Sequence, residues 1–154
     1  MIRQIVGFRQ DDQGDWIAEL SCFHSQHMRH RPLLQNRPWV LTEDGRQNRI
    51  GTQIECSACL ELEMPDQLVR TSIVGPLLSL DPADGIPPTW QVPALSWGVI
   101  ELLDGVLEVL LETAKGARIR LTARERVAIP PECTANLVPG PETAIMLELW
   151  SKQS

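Results

Sequence analysis

The fold of this chain is decided by the stretch 96–112, which is SWGVIELLDGVLEVLLE. Apolar side chains dominate the runs on both sides of Asp104-Gly105. Such runs favour β-strands, and an Asp-Gly pair between them is typical of a tight hairpin turn. We therefore predict a β-hairpin at Asp104-Gly105, with strands over 96–103 and 106–112 and with Trp97 facing inward.

The rest of the second half shows the same strand pattern. Alternation between apolar and polar residues predicts strands over 118–121 and 144–150, and a third strand over 127–129 ends at a Pro-Pro pair. Short strands separated by Gly and Pro turns are typical of a sandwich or barrel. The second half is therefore predicted to be all-β.

The first half predicts a smaller α+β arrangement. Two strands, Ile2–Phe8 and Trp16–Leu20, flank a turn-rich Asp/Gly cluster and should form a hairpin. Another short strand is predicted over Trp39–Leu41. A short helix should follow, with Thr42 as its N-cap and Gly51 as its C-terminal cap.

A Cys-x-His pair and a Cys-x-x-Cys pair mark a candidate metal site, formed by Cys22, His24, Cys56 and Cys59. Three thiolates and one imidazole are the ligand set of a structural zinc site, and four protein ligands leave no open position for an activated water. His27 competes with His24 for the fourth position. We prefer His24, because residues i and i+2 share one side of an extended strand.

Two other interpretations of these cysteines fit the sequence less well. A redox Cys-x-x-Cys pair normally begins a helix in a βαβ unit, and no such unit is evident here. A Rieske cluster would need a second histidine in place of Cys59. The small first half buries little apolar surface, so a zinc staple is the expected source of its stability.

Composition limits the partners of the chain. It has 154 residues, a hydrophobic content of 43%, a charged content of 22% and a net charge of -6. An acidic chain has no overall field that attracts nucleic acid or membranes. Its first residues lack a signal-peptide pattern, and no apolar run could span a bilayer, so we expect a cytoplasmic protein. Five arginines between Arg29 and Arg49 form a local basic segment, which leaves a nucleic-acid-binding regulator as an alternative.

Two families resemble the two halves. The first resemblance covers about residues 1–61 and is carried by Gly14-Asp15-Trp16, Ala18 to Cys22, His24, Arg29-His30-Arg31-Pro32, Arg37 to Leu41 and Cys56-x-x-Cys59. These motifs are similar to a small bacterial Cys/His-containing domain family of unknown function. The family brings no known activity, but the resemblance supports a metal site.

The second resemblance covers about residues 68–150 and is carried by Trp97 to Ile100, Leu103 to Leu107 and Val127 to Pro131. This part resembles a tellurite-resistance-type cupin domain, which implies a double-stranded β-helix barrel. Such cupins often bind a metal through histidines at the barrel mouth, and those positions fall near Trp90 and Cys133 here. We therefore predict a zinc-binding domain over 1–62 and a metal-free cupin barrel over 68–151.

The predicted function is non-enzymatic. A module stabilised by structural zinc would be joined to a cupin that binds a small molecule or a protein partner, in a stress or metalloid response. We identify no catalytic residues, because the chain shows no Ser-His-Asp set, P-loop or dinucleotide fingerprint. A cupin-type enzyme with a non-standard barrel site is the second alternative. We expect a homodimer paired through sheet edges.

Overall fold

The computed structural model describes residues 1–81, 85–113 and 116–153. The chain divides into two compact units, Met1–Ser57 and Ala58–Ser154. Helices are few and short, and none in the described ranges is long and apolar enough to cross a membrane. The chain is mainly β, as the strand patterns predict.

The first unit is built on an antiparallel sheet of four strands in the order β3-β2-β1-β4. The strands are β1 (Ile2–Gln10), β2 (Trp16–Leu20), β3 (Ser25–His27) and β4 (Gln53–Glu55). The predicted hairpin is confirmed, since β1 pairs with β2 from Ile5↔Leu20 to Gln10↔Trp16. Its core includes the buried side chains of Ile5, Ile17, Ala18, Leu20, Met28 and Val40.

The segment after β3 corrects one prediction. Pro38–Leu41 is a 3-10 helix, not a strand, with Pro38 at its start. Proline fixes φ near −65°, a value suited to the first turn of a helix. The tight turn brings the Trp39 carbonyl against Gly45, where an added Cβ would lie 2.2 Å from that oxygen. Only glycine leaves room for this approach.

The helix α1 (Glu43–Gln47) begins as predicted and ends earlier. Thr42 Oγ1 accepts a hydrogen bond from the Gly45 N–H at 3.1 Å, which confirms the N-cap. Asn48 is the C-cap, so the prediction for Gly51 is wrong. Gly51 has a φ of 86° and lies in the turn that leads to β4.

The helical turn α2 (Ser57–Leu60) follows β4, and the second unit then consists of strands. These are β5 (Leu68–Leu78), β6 (Thr89–Gln91), β7 (Trp97–Asp104), β8 (Val106–Leu111), β9 (Ala117–Thr122), β10 (Arg126–Ile129), β11 (Thr134–Pro139) and β12 (Ala144–Lys152). They form two four-stranded sheets in the orders β10-β7-β12-β5 and β6-β11-β8-β9.

The connectivity identifies the barrel. All described pairs in both sheets are antiparallel. Between β5 and β12 the chain passes from one sheet to the other at nearly every connection, and β8–β9 is the only consecutive pair among these described strands that is hydrogen-bonded directly. Eight antiparallel strands wound in this way are the double-sheet arrangement of jelly rolls and cupins. The second unit is therefore a cupin-like double-stranded β-helix.

The predicted hairpin at Asp104-Gly105 is wrong in its pairing. β7 and β8 begin and end as expected, but they belong to different sheets. Gly105 has a φ of 81°, and its N–H bonds to Asp104 Oδ1 at 2.8 Å. The Thr143 hydroxyl donates a hydrogen bond to the Val106 carbonyl oxygen at 2.9 Å, which fixes the first residue of β8. Asp-Gly thus makes the turn, but long-range pairing with β12 and β11 separates the two strands.

The space between the two sheets is filled by side chains. Ile100, Leu107, Ile129 and Ile145 are completely buried. A Cβ added at Gly98 would lie 2.7 Å from the Trp90 ring, so this ring packs against the glycine. Trp97 is also completely buried. Alternation along β7 places it on the opposite face from Gly98, so it does not face the space between the sheets as predicted.

Candidate metal centre

Strand order brings the two cysteine pairs together. β1 pairs with β2 and β4 on its two sides, and both neighbours run antiparallel to it. Leu20 of β2 lies opposite Ile5, and Glu55 of β4 lies opposite Ile2. Both neighbouring strands therefore end beside the start of β1. Cys22 follows the first end and Cys56 the second, so chain segments 34 residues apart in sequence meet.

The four predicted ligands form one cluster. Their ligand atoms, from Cys22, His24, Cys56 and Cys59, all lie within 4.8 Å of one another. The two sulfurs of Cys22 and Cys56 are 3.9 Å apart, and His24 Nδ1 lies 3.4 Å and 3.5 Å from them. The three thiols of the cluster are buried. A disulfide needs about 2.05 Å between sulfurs, so the cluster is not a disulfide.

These distances fit the edges of a zinc tetrahedron. With Zn–S near 2.3 Å and Zn–N near 2.0–2.1 Å, a tetrahedral site has S···S edges of about 3.8 Å and S···N edges of about 3.6 Å. The observed separations of 3.9, 3.4 and 3.5 Å differ from these values by at most about 0.2 Å. The residues present therefore fit a tetrahedral metal ion such as zinc.

The geometric reason given for His24 needs correction. Cys22 and His24 lie in a turn after β2, not on an extended strand. The Phe23 N–H donates to the Leu20 carbonyl oxygen, and the Leu20 N–H donates to the His24 carbonyl oxygen, each at 2.9 Å. Phe23 has a φ of 71°, in the left-handed region that most residues avoid. This turn aims the thiol and the imidazole at one point.

The other two histidines have different neighbours. His27 Nε2 lies 3.1 Å from Asp11 Oδ2 on the exposed surface. A hydrogen bond from the Asp15 N–H, aided by those from His27 and the Gln13 N–H, holds the pKa of Asp11 below its usual value despite some desolvation. His30 Nδ1 accepts a hydrogen bond from the Arg37 N–H at 3.0 Å. The structure thus turns His24 toward the thiols and the other two imidazoles toward surface loops.

Sequence reasoning missed a buried carboxylate in the barrel. Glu148 on β12 is only 2% exposed. Its two oxygens accept hydrogen bonds from Arg70 at 3.2 Å, from Arg126 at 2.8 Å and from Trp150 Nε1 at 2.8 Å. The one sequence signal was a glutamate inside an apolar strand. Its two arginine partners come from β5 and β10, 78 and 22 residues away in sequence. These partners could not be found without the strand order.

The arginines of the basic segment make local contacts. Arg29 Nε donates to Asp15 Oδ2 at 2.9 Å. The guanidinium of Arg46 lies 3.5 Å from the centre of the Trp16 ring, and Arg49 lies 4.9 Å from that of Trp39. Ion pairs and cation–π contacts of this kind occupy part of the basic surface.

Comparison with known proteins gives one family match and several structural matches. Residues 6–63 match a family described as a protein of unknown function, DUF3565. No curated protein matches the chain. A crystal structure of a structural-genomics target from E. coli strain K12 matches with a TM-score of 0.51 and 15% identity, over 60% of this chain and 99% of that one. At this identity the match shows the fold alone.

Two 3,4-ketoisomerases match with lower TM-scores. A 3,4-ketoisomerase from Helicobacter canadensis matches with a TM-score of 0.37 and 12% identity, over 100% of this chain and 84% of that one. A TDP-quinovose 3,4-ketoisomerase from Campylobacter jejuni matches at 0.39 and 11%, over 100% and 85%. The N-terminal part of this chain is thus similar to a domain family of unknown function, DUF3565, and the strand order shows a cupin-like barrel in the part that follows.

Proposed function

We propose that the chain is a non-enzymatic module in which structural zinc, held by Cys22, His24, Cys56 and Cys59, stabilises the first unit. The observation that carries this proposal is the convergence of the four ligand atoms within 4.8 Å, with the three separations among Cys22, His24 and Cys56 close to the edges of a tetrahedron. Bound zinc would supply a cross-link between the end of β2 and the end of β4. Four protein ligands complete the coordination, so the site is structural and does not activate water.

The barrel is proposed to bind a small molecule or a protein partner without a metal of its own. After His30 the chain contains no histidine. Trp90 packs against Gly98 between the sheets. Cys133 is 6% exposed, and its carbonyl oxygen accepts a hydrogen bond from the Val92 N–H at 3.0 Å. These two residues stand where the resemblance to cupins would place metal-binding histidines. Apolar surroundings of this kind favour an organic ligand over a hard cation.

Metal analysis of the purified full chain tests both parts of this proposal. One zinc per chain is expected under reducing conditions. Cys56→Ser should lose it, whereas Cys133→Ser removes a buried thiol outside the cluster and should retain it. A chain without stoichiometric metal contradicts the zinc site. A second metal retained by Cys56→Ser would place a metal elsewhere and favour the cupin-enzyme alternative.

The long edge strand β5 supports the proposal of a homodimer. β5 lies at the end of its sheet, pairs with β12 on one side and exposes Val69, Ile73 and Val74. An exposed apolar edge is a template for pairing with another strand, and a second copy offers the same edge. Light scattering should give twice the mass of 17.3 kDa. Ile73→Lys should give the monomer mass, and a monomeric wild-type chain would contradict this proposal.

The stress or metalloid response is proposed from the cupin resemblance. A strain that lacks this protein should grow less well on tellurite, and expression of the wild-type chain should restore its growth. Unchanged growth of the deletion strain would remove this assignment and leave the zinc proposal intact.

A further inference from the structure

A cavity of about 260 Å³ lies beside the loop that follows β3 in the first unit. Its walls are formed by His27, Arg29, Arg31, Leu34 and Gln35. Three of these residues have basic side chains and none has a carboxylate. Ligand pockets for drug-sized molecules have volumes of roughly 300–1,000 Å³, so this cavity suits a smaller molecule.

The backbone around the cavity is held by its own hydrogen bonds. The Arg31 N–H donates to the Gln35 carbonyl oxygen at 2.9 Å, and the Gln35 N–H donates to the Arg31 carbonyl oxygen at 2.7 Å. At the base of the loop, the Met28 N–H donates to the Trp16 carbonyl oxygen at 2.8 Å, and the Met28 side chain is buried. The backbone that carries these side chains is therefore ordered before a ligand arrives, which lowers the ordering cost of binding.

Two carboxylates orient two of the three basic side chains, those of Arg29 and His27. Asp15 accepts a hydrogen bond from Arg29 Nε, which leaves the terminal nitrogens of that guanidinium as further donors. Asp11 lies 3.1 Å from His27 and is itself fixed by hydrogen bonds from the N–H groups of Gln13 and Asp15, each at 2.9 Å. These carboxylates offset much of the local positive charge. The cavity is therefore matched to one negative charge and not to a polyanion such as nucleic acid.

One wall of the cavity is apolar and exposed. Leu34 is 82% exposed beside the arginines. Covering this leucine with a ligand would stabilise the complex, in proportion to the apolar area removed from water. A ligand with an acidic end and a short hydrocarbon part would satisfy both the guanidinium groups and the leucine.

We infer that this cavity binds a small organic acid, with its carboxylate on Arg29 and Arg31 and its hydrocarbon part on Leu34. Guanidinium binds a carboxylate through two parallel hydrogen bonds, which sets the orientation of the ligand. This site is independent of the proposed zinc site and of the barrel, and its failure would leave both proposals standing.

The test is a titration of the full chain with sodium hexanoate, followed by amide chemical shifts in NMR spectra. The shifts should saturate with a Kd of about 1 mM, the range expected for a ligand of roughly eight heavy atoms. They should be confined to residues 27–35. Arg31→Ala should weaken binding at least about tenfold. Arg120→Ala removes the same charge from an exposed site on β9 and should bind like the wild type.

A second variant tests the contact with the hydrocarbon part of the ligand separately from the contact with its carboxylate. Leu34→Ser should reduce the affinity for hexanoate to that for acetate, because it removes the apolar wall. Amide spectra of each free variant should match the wild type outside the loop, which shows that the fold is kept. Shifts that rise linearly without saturation overturn the inference. An equal loss of hexanoate affinity in the Arg31→Ala and Arg120→Ala variants also overturns the inference. Tighter binding of inorganic phosphate than of hexanoate would overturn it as well.

Discussion

The first unit and the barrel differ in how their strands are held together. The sheet of the first unit includes β3 and β4, which have three residues each, and its core contains few large side chains, such as Ile5, Ile17 and Leu20. The barrel has two four-stranded sheets whose inner faces bury apolar side chains against each other. A short sheet buries too little surface to offset the entropy of folding, whereas two stacked sheets can do so without a cross-link.

The largest expected effect is on the first unit alone. We predict that Cys56→Ser, or removal of zinc by a chelator, unfolds the N-terminal hairpin of β1 and β2 and leaves the barrel folded. Structural zinc contributes on the order of 10–16 kcal/mol in small zinc domains, as much as the whole unfolding free energy of an ordinary domain, about 5–15 kcal/mol.

Amide NMR spectra can follow the two units separately in this variant, with Cys133→Ser as the control. Barrel resonances should keep their positions while those of β1 and β2 collapse to unfolded values. If all native resonances disappear, the two units form one cooperative structure and the contrast between them is wrong.

The second prediction acts on the barrel and not on the first unit. Glu148→Ala should destabilise the barrel by about 2 kcal/mol, because Arg70, Arg126 and Trp150 lose their shared acceptor. This value is below the roughly 3–5 kcal/mol typical of broken buried ion pairs, since the arginine side chains are 49% and 48% exposed and can be hydrated.

Urea unfolding measures this change as a lower midpoint for the barrel transition. Glu108→Ala removes the exposed ion pair between Glu108 and Arg118 and should shift the midpoint much less. A midpoint for Glu148→Ala equal to that of Glu108→Ala would show that the buried cluster contributes nothing beyond a surface pair.

The third prediction tests how tightly the barrel interior is packed. Gly98→Ala should destabilise the barrel by about 1–3 kcal/mol, because the new methyl group would overlap the Trp90 ring. Gly140→Ala is the matched control, since its Cβ would meet nothing closer than 3.4 Å. Thermal unfolding that leaves both variants equal to the wild type would mean that the interior has spare volume.

The smallest expected effect depends on pH. Hydrogen bonds from the Thr122 N–H at 2.6 Å and the Thr122 hydroxyl at 3.0 Å hold the pKa of Glu125 below its ordinary value of 4.5, against some desolvation. A lowered folded-state pKa contributes stability that is present above pH 4.5 and is lost as the pH falls through the folded value.

We therefore expect Glu125→Gln to weaken the barrel slightly at neutral pH and to match the wild type once Glu125 is protonated. Carboxyl NMR titration should place the pKa of Glu125 below 4.5, and Thr122→Val should raise it by removing the hydroxyl donor. A pKa at or above 4.5 in the wild type would contradict the hydrogen-bonded geometry.

The sequence by itself determined the candidate metal set and the positions of most strands. Cys22, His24, Cys56 and Cys59 stand out because ligand type and short spacing are local properties, and the first hairpin follows from a local turn between two strands. The segments β7 and β8 were likewise placed within a residue or two of their ends, since alternation and turn residues act over a few positions.

Only the tertiary structure decided which strands pair and which side chains meet. Asp104-Gly105 makes a sharp turn, but β7 pairs with β12 and β8 with β11, because sheet partners are chosen by burial over the whole barrel. The left-handed turn at Phe23 and the partners of Glu148 depend on contacts far apart in sequence. The stability of these features comes from packing between residues far apart in sequence, which a local sequence pattern does not encode.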